Sequence, residues 1–170
     1  TLWDNYAQAI IKKSSSQPKD KAITSLSVFR EQVYKYSAAT SSYQDIVNSL
    51  TNQLVKTRWT YALEFEEDYQ FDNAIAQYEA IKKENVSSYF TRATLRSLIS
   101  SVKSGTLNKD IEDQIIPILD TRSFEPLHED LAYRYSIYLL KHTRPSEAEA
   151  ILKKYLPDES NLFSICNNIF

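Results

Sequence analysis

The side chains best suited to proton transfer, metal binding or nucleophilic attack are His128, Glu129, Asp130, His142 and Cys166, together with an acidic group at Glu64, Glu66, Glu67 and Asp68. General acid–base chemistry needs titratable groups aimed at one atom. Neighbours along a helix point about 100° apart, so His128-Glu129-Asp130 reads as the acidic first turn of a helix, favourable against the helix dipole. The two histidines stand fourteen positions apart with no Cys or carboxylate at metal-ligand spacing, which argues against zinc. Cys166 lies in an apolar stretch with no basic or histidine neighbour to lower its pKa, so it reads as a small buried side chain. The acidic group reads as a solvated helix face, with a basic partner as the alternative. Lys12-Lys13, Lys82-Lys83 and Lys153-Lys154 each close a helical stretch, where positive charge complements the carboxyl-end dipole. Asn85-Val86-Ser87 has the form of a glycosylation acceptor, a triplet common by chance. No catalytic residue, cofactor or metal is expected.

What must position these residues follows from composition. The chain has 170 residues, enough for one core or one short stacked array, and a single domain over 1–170 is expected. It begins at Thr1 and contains no Met, so a piece of a longer polypeptide is expected. Net charge is −2 and the pI is about 5.7, whereas a nucleic-acid-binding domain usually lies above roughly 9, so no direct nucleic-acid contact is expected. Apolar runs are far shorter than the roughly 18 residues of a membrane span. One cysteine cannot close an internal disulfide, which fits a reducing, cytoplasmic or nuclear, compartment.

Only one glycine, Gly105, is present where about a dozen would be usual, which disfavours both tight β-hairpins and glycine-rich phosphate loops. Apolar spacing instead predicts helices throughout. Residues 2–13 carry Leu2, Tyr6, Ala9 and Ile10, and 19–36 carry Ala22, Leu26, Phe29, Val33 and Tyr36. The pattern over 42–69 runs through Ile46, Leu50, Val55, Trp59, Ala62, Phe65 and Tyr69, either as one helix or as two broken near Thr51 and Asn52. Further helices are predicted over 71–84, 87–103, 109–119, 129–142, 145–155 and 160–169. Short connections make neighbours antiparallel.

Two stretches repeat the same order of parts. In EFEEDYQFDNAIAQYEAI a helix turns at Gln70 into Phe71, Ala74 and Tyr78; in AYRYSIYLLKHTRPSEAEAILKKYL another turns at Thr143 to Pro145 and continues into Ala148, Leu152 and Tyr155. Ala62, Phe65, Phe71, Ala74 and Tyr78, and less closely Ser136, Leu139, Ala148, Leu152 and Tyr155, resemble the tetratricopeptide pattern. The segment 87–119 lacks the alanine–aromatic signature, Trp59 is one place from the family's tryptophan, and Pro145 replaces an aromatic. The resemblance implies an all-α, right-handed α-solenoid of about four antiparallel helix pairs with a terminal capping helix. A different or coat-type α-solenoid and a closed helical bundle are the alternatives.

The resemblance also implies surfaces, because first helices of such repeats line the concave side. The corresponding positions are Lys56, Trp59, Leu63 and Glu66 in one hairpin, and Asp130, Tyr133, Ile137, Leu140 and Lys141 in the other. That largely apolar face implies a scaffold binding another protein, as a helix or extended peptide, or a neighbouring subunit, with Trp59 and Tyr133 as anchors. The alternative for each aromatic is ordinary packing against the next helix. Chaperone-binding relatives clamp a carboxylate with Lys and Asn at positions that include those of Trp59 and Leu63 here, so that activity is not expected. Leu2-Trp3-Asp4-Asn5-Tyr6 also resembles the W-x-x-Y opening of half-a-tetratricopeptide repeats in RNA-processing scaffolds, which is the second functional expectation.

Overall fold

The computed structural model describes residues 2–37, 41–121 and 125–156, and among them it contains eight α-helices and no strand. They are α1 (Leu2–Ser14), α2 (Lys19–Ser37), α3 (Ser41–Glu67), α4 (Phe71–Lys83), α5 (Ser87–Ser104), α6 (Lys109–Thr121), α7 (Glu125–Lys141) and α8 (Pro145–Tyr155). None of these helices is long and apolar enough to cross a membrane. The chain divides into two compact units, one up to Phe90 and the other from Thr91.

In the first unit α1, α2 and the front half of α3 close one core around Ala7, Leu26, Phe29, Val33, Ile46, Leu50 and Leu54. The stripe spaced along α2 is buried as its periodicity predicts, except that Tyr36 stays 57% exposed with its ring 5.7 Å from Trp3. The stripe of α1 is rotated from the expected one. Ala7 and Ser14 are buried, and Trp3, Ile10 and Ile11 pack towards the core, while Leu2 is 84% exposed. Trp3 decides the rotation: stacked on Phe29 and edge-on to Tyr43, the largest ring in the helix buries more area than Leu2 could. Tyr6 lies edge-on over Phe29 at 5.1 Å and keeps its outer side in water.

α3 is one continuous helix of 27 residues, about 40 Å long at the usual rise. Thr51 and Asn52 do not break it, because no proline or glycine lies between Ser41 and Glu67. Its front half packs on α2 and its back half on α4, where Ala62, Ala74, Tyr78 and Ile81 are fully buried. The second unit closes a separate core from α5, α6, α7 and α8, including Leu95, Ile99, Ile115, Leu119, Leu131, Tyr135, Leu139, Ala148 and Leu152.

With one glycine in the chain, the helix ends take other residues into the left-handed region: Tyr69 at φ 59°, Asn85 at φ 52° and Thr143 at φ 57°, beside Gly105 at φ 72°. After α3, the N–H of Gln70 donates to the carbonyl of Phe65 at 2.8 Å and that of Tyr69 to Glu66 at 3.2 Å. After α7, Arg144 donates to Leu139 at 2.9 Å and Thr143 to Leu140 at 3.1 Å. Gly105 and Thr106 close α5 on Val102 and Ser101 in the same way, both at 3.2 Å. Tyr69, Gly105 and Thr143 thus each let two otherwise unpaired carbonyls find donors.

Three prolines fall within helices, and Pro145 is the first residue of α8, where a missing N–H costs nothing. Pro126 falls in the first turn of α7, where its missing N–H has no intrahelical acceptor, so α7 starts at Glu125 rather than at the predicted 129. Pro117 lies within α6, and Asp113, whose carbonyl loses its donor, is exposed to water as the proline is. Asn108 caps that helix, its Oδ1 accepting from the N–H of Ile111 at 2.9 Å. The helix expected over 160–169, with Leu162, Phe163 and Cys166, lies outside the described residues, as does Phe170.

Candidate partner-binding surface

The turns of the hairpins α3–α4 and α7–α8 correspond at a spacing of 74 residues. Both pairs of turn hydrogen bonds correspond at that offset, and so does the next: Ala74 N–H to Gln70 at 3.1 Å, and Ala148 N–H to Arg144 at 3.2 Å. Ala74 and Ala148 are both fully buried, and Ala62 and Ser136, at equivalent places on the preceding helices, are at most 1% exposed. Small residues at these places let two helix backbones approach closely. Neither turn has a side-chain cap on its second helix, so the left-handed residue and the alanine crossing define the hairpin.

Of the nine residues expected to meet a partner, eight fall at equivalent positions on α3 and α7, and Lys141 stands opposite Glu67, which was not among them. On α3, Lys56 is exposed and Leu63 half-buried. Trp59 is half-buried between two rings, edge-on to Tyr78 at 5.5 Å and to Tyr89 at 5.6 Å. Glu66 accepts a hydrogen bond from the Tyr78 hydroxyl at 2.8 Å, so its carboxylate is already engaged within the hairpin. On α7, Tyr133 is 38% exposed, Ile137 and Leu140 are half-buried, and Lys141 is exposed. Asp130 accepts from Arg134 Nε at 2.6 Å, and Leu140 packs against the second core. Trp59, Leu63, Tyr133 and Ile137 therefore form, on each unit separately, an apolar strip that is neither sealed nor fully open.

The histidine at the head of the proton-transfer candidates has a structural task. His128 is buried, and its Nε2–H points at the carbonyl of Ile118 at 2.8 Å, with Thr121 Oγ1 at 3.2 Å. Thr121 also donates to that carbonyl, at 2.8 Å. His128 thus completes the carboxyl end of α6 from a neighbouring helix, a role its place beside Glu129 and Asp130 does not suggest. His142 is exposed, its ring 4.0 Å from that of Tyr138 and its Nδ1–H donating to the Tyr138 carbonyl at 2.8 Å. Among the described residues no three His, Cys, Asp or Glu side chains converge as a metal would need.

Two polar networks escaped the sequence reading because their members are distant along the chain. In the second unit Glu112 accepts from the Tyr135 hydroxyl at 2.6 Å and from Arg144 Nη1 at 2.5 Å, while Arg144 also binds Glu147 at 2.6 Å. The Tyr135 bond, with Arg144 behind it, holds the Glu112 carboxyl below its ordinary pKa. Burial, followed by the Glu112 carboxylate, pushes the Tyr135 phenol up. In the first unit Arg30, Arg58 and Glu84 converge at the end of α4.

No protein-family model, curated protein or solved structure matches this chain. Its own residues therefore carry every functional argument.

Proposed function

We propose that this chain is a non-catalytic interaction scaffold built from tetratricopeptide-like hairpins. Its partner is an amphipathic helix or extended peptide of another protein, or a neighbouring subunit, taken on the strips around Trp59 and Tyr133. The observation that carries the reading is the duplicated hairpin: two stretches 74 residues apart share their turn hydrogen bonds and a buried alanine at the crossing. Each also presents a large aromatic at the same place on its first helix. A duplicated framework with half-exposed rings at equivalent positions is what a helical-repeat binding face requires, since aromatic anchors supply most of the energy in such interfaces.

Affinity purification with mass spectrometry would name the partner, and Tyr133→Ala and Trp59→Ala would then locate it. Tyr133→Ala is expected to weaken capture strongly with little change in melting temperature. Trp59→Ala is expected to weaken capture and also to lower stability, because the ring packs on Tyr78 and Tyr89. Capture unaffected by both substitutions would refute the assignment of these strips.

A further inference from the structure

α1 turns one apolar side to the core and a second one to water. Leu2, Tyr6, Ala9 and Lys13 stand at the spacing of one helical face, and Leu2 and Tyr6 are 84% and 57% exposed. α2 continues that surface across the seam between the two helices. Its outer stripe, spaced in the same way, is Lys21, Ser25, Val28, Gln32 and Tyr36, with Val28 51% and Tyr36 57% exposed. Aromatic rings bridge the seam: Tyr6 lies over Phe29 at 5.1 Å, and Trp3 meets Tyr36 at 5.7 Å. Packing within the unit does not account for Leu2 and Val28, and helix propensity does not account for Val28 and Tyr36, since valine and tyrosine rank below alanine, lysine and glutamate.

The charge on this face has one sign. Lys13 and Lys21 are exposed at the end where α1 turns into α2, and among the described residues neither makes an ion pair. Neither stripe carries a carboxylate, and Asp4, Asp20 and Glu31 lie about 100° or more off the stripes. The chain as a whole has net charge −2, so a positive apolar face is a local departure. The acidic group at the carboxyl end of α3 is met by Lys19, whose Nζ lies 3.6 Å from Glu64. Lys19 is two positions from Lys21 and so on nearly the opposite side of α2, which keeps Glu64 away from this face.

We propose that the outer face of α1 and α2 receives an acidic amphipathic helix of a partner protein. The helix lies along the seam with its apolar stripe on Leu2, Tyr6, Val28 and Tyr36 and with carboxylates beside Lys13 and Lys21. A helix is favoured over an extended peptide because the face is built from the side chains of two helices, whose backbone groups are already paired. An extended segment would take its amides out of water and gain no partner for them. A flat anionic surface, such as a membrane or a nucleic acid, would also meet the acidic end of α3 at the same end of the unit. A single helix, about 10 Å across, reaches only the seam. α1 and α2 carry neither the Trp59 strip nor the Tyr133 strip, so the inference does not rest on them.

The test is titration of the whole chain with an acetylated, amidated, helix-forming peptide of about four turns, with leucine along one stripe and glutamate on its flanks. A counterpart with lysine in place of every glutamate is titrated beside it. Calorimetry should show saturable, salt-weakened binding of the glutamate peptide and binding at least about tenfold weaker for the lysine one. Val28→Glu and Lys21→Glu should each weaken binding of the glutamate peptide about tenfold. Neither should move the melting temperature of the free chain, since both positions are exposed and glutamate is a good helix former. Absence of saturable binding, equal affinity for the two peptides, or variants that bind as the unaltered chain does would overturn the proposal. So would sedimentation showing that the chain pairs with itself through this face, or co-sedimentation with phosphatidylserine vesicles that both substitutions abolish.

Discussion

Thr143 offers the sharpest test of how this chain ends its helices without glycine. A β-branched residue at φ 57° is an outlier, because its Cβ crowds the following carbonyl. Holding a non-glycine residue there costs about 1–2 kcal/mol. Thr143→Gly removes that strain, but glycine has more freedom to lose on folding, roughly 0.5–1 kcal/mol. The short contact from Thr143 Oγ1 to the carbonyl of His142, at 2.7 Å, is exposed and contributes little in water. The net expectation is stabilisation by about 0.5–1 kcal/mol. In urea, with a slope of order 1–3 kcal/mol per molar, the midpoint should rise by roughly 0.2–1 M at unchanged slope. The reciprocal change is Gly105→Ala, where an added Cβ meets nothing within 4 Å, so any loss comes from the backbone at φ 72° alone. That variant should lose about 1 kcal/mol. Equilibrium unfolding followed by circular dichroism measures both. Destabilisation by Thr143→Gly would show that the threonine is selected for the turn rather than tolerated in it.

Two further outcomes follow from the packing and the charges. Ala74→Leu should destabilise the first unit by about 1–3 kcal/mol through overpacking at a fully buried crossing; a neutral thermal melt would mean that α3 and α4 do not meet there as described. Because the folded pKa of Glu112 lies below its unfolded value, its contribution is fully present above the ordinary carboxylate value of about 4.3 and is lost as pH falls through the folded pKa. Acid unfolding of Glu112→Gln should accordingly be less steep than that of the unaltered chain below about pH 4, and identical acid profiles would remove Glu112 from the account.

The existence and type of the elements were written into the sequence, since apolar residues every three or four positions fit a helix and a single glycine leaves little for hairpin turns of strands. The stripe of α2, the buried alanines of the two hairpins and the lysine pairs at helix ends could all be read from spacing, because each depends on neighbours within a few residues. The face of α1 could not, because Leu2 and Trp3 are adjacent and only contact with Phe29 and Tyr43 chooses between them. Pro126 misplaced the start of α7 because proline stops a helix from inside but is tolerated in its first turn, and composition alone does not say which turn it occupies. His128, Glu112 and the Arg30–Arg58–Glu84 group were invisible for a related reason. Their partners lie 10, 23, 32 or 54 positions away, distances at which side chains meet only after helices have packed. Local periodicity thus determined what the elements are, and packing between distant helices decided which side chains are spent on the fold and which remain available to a partner.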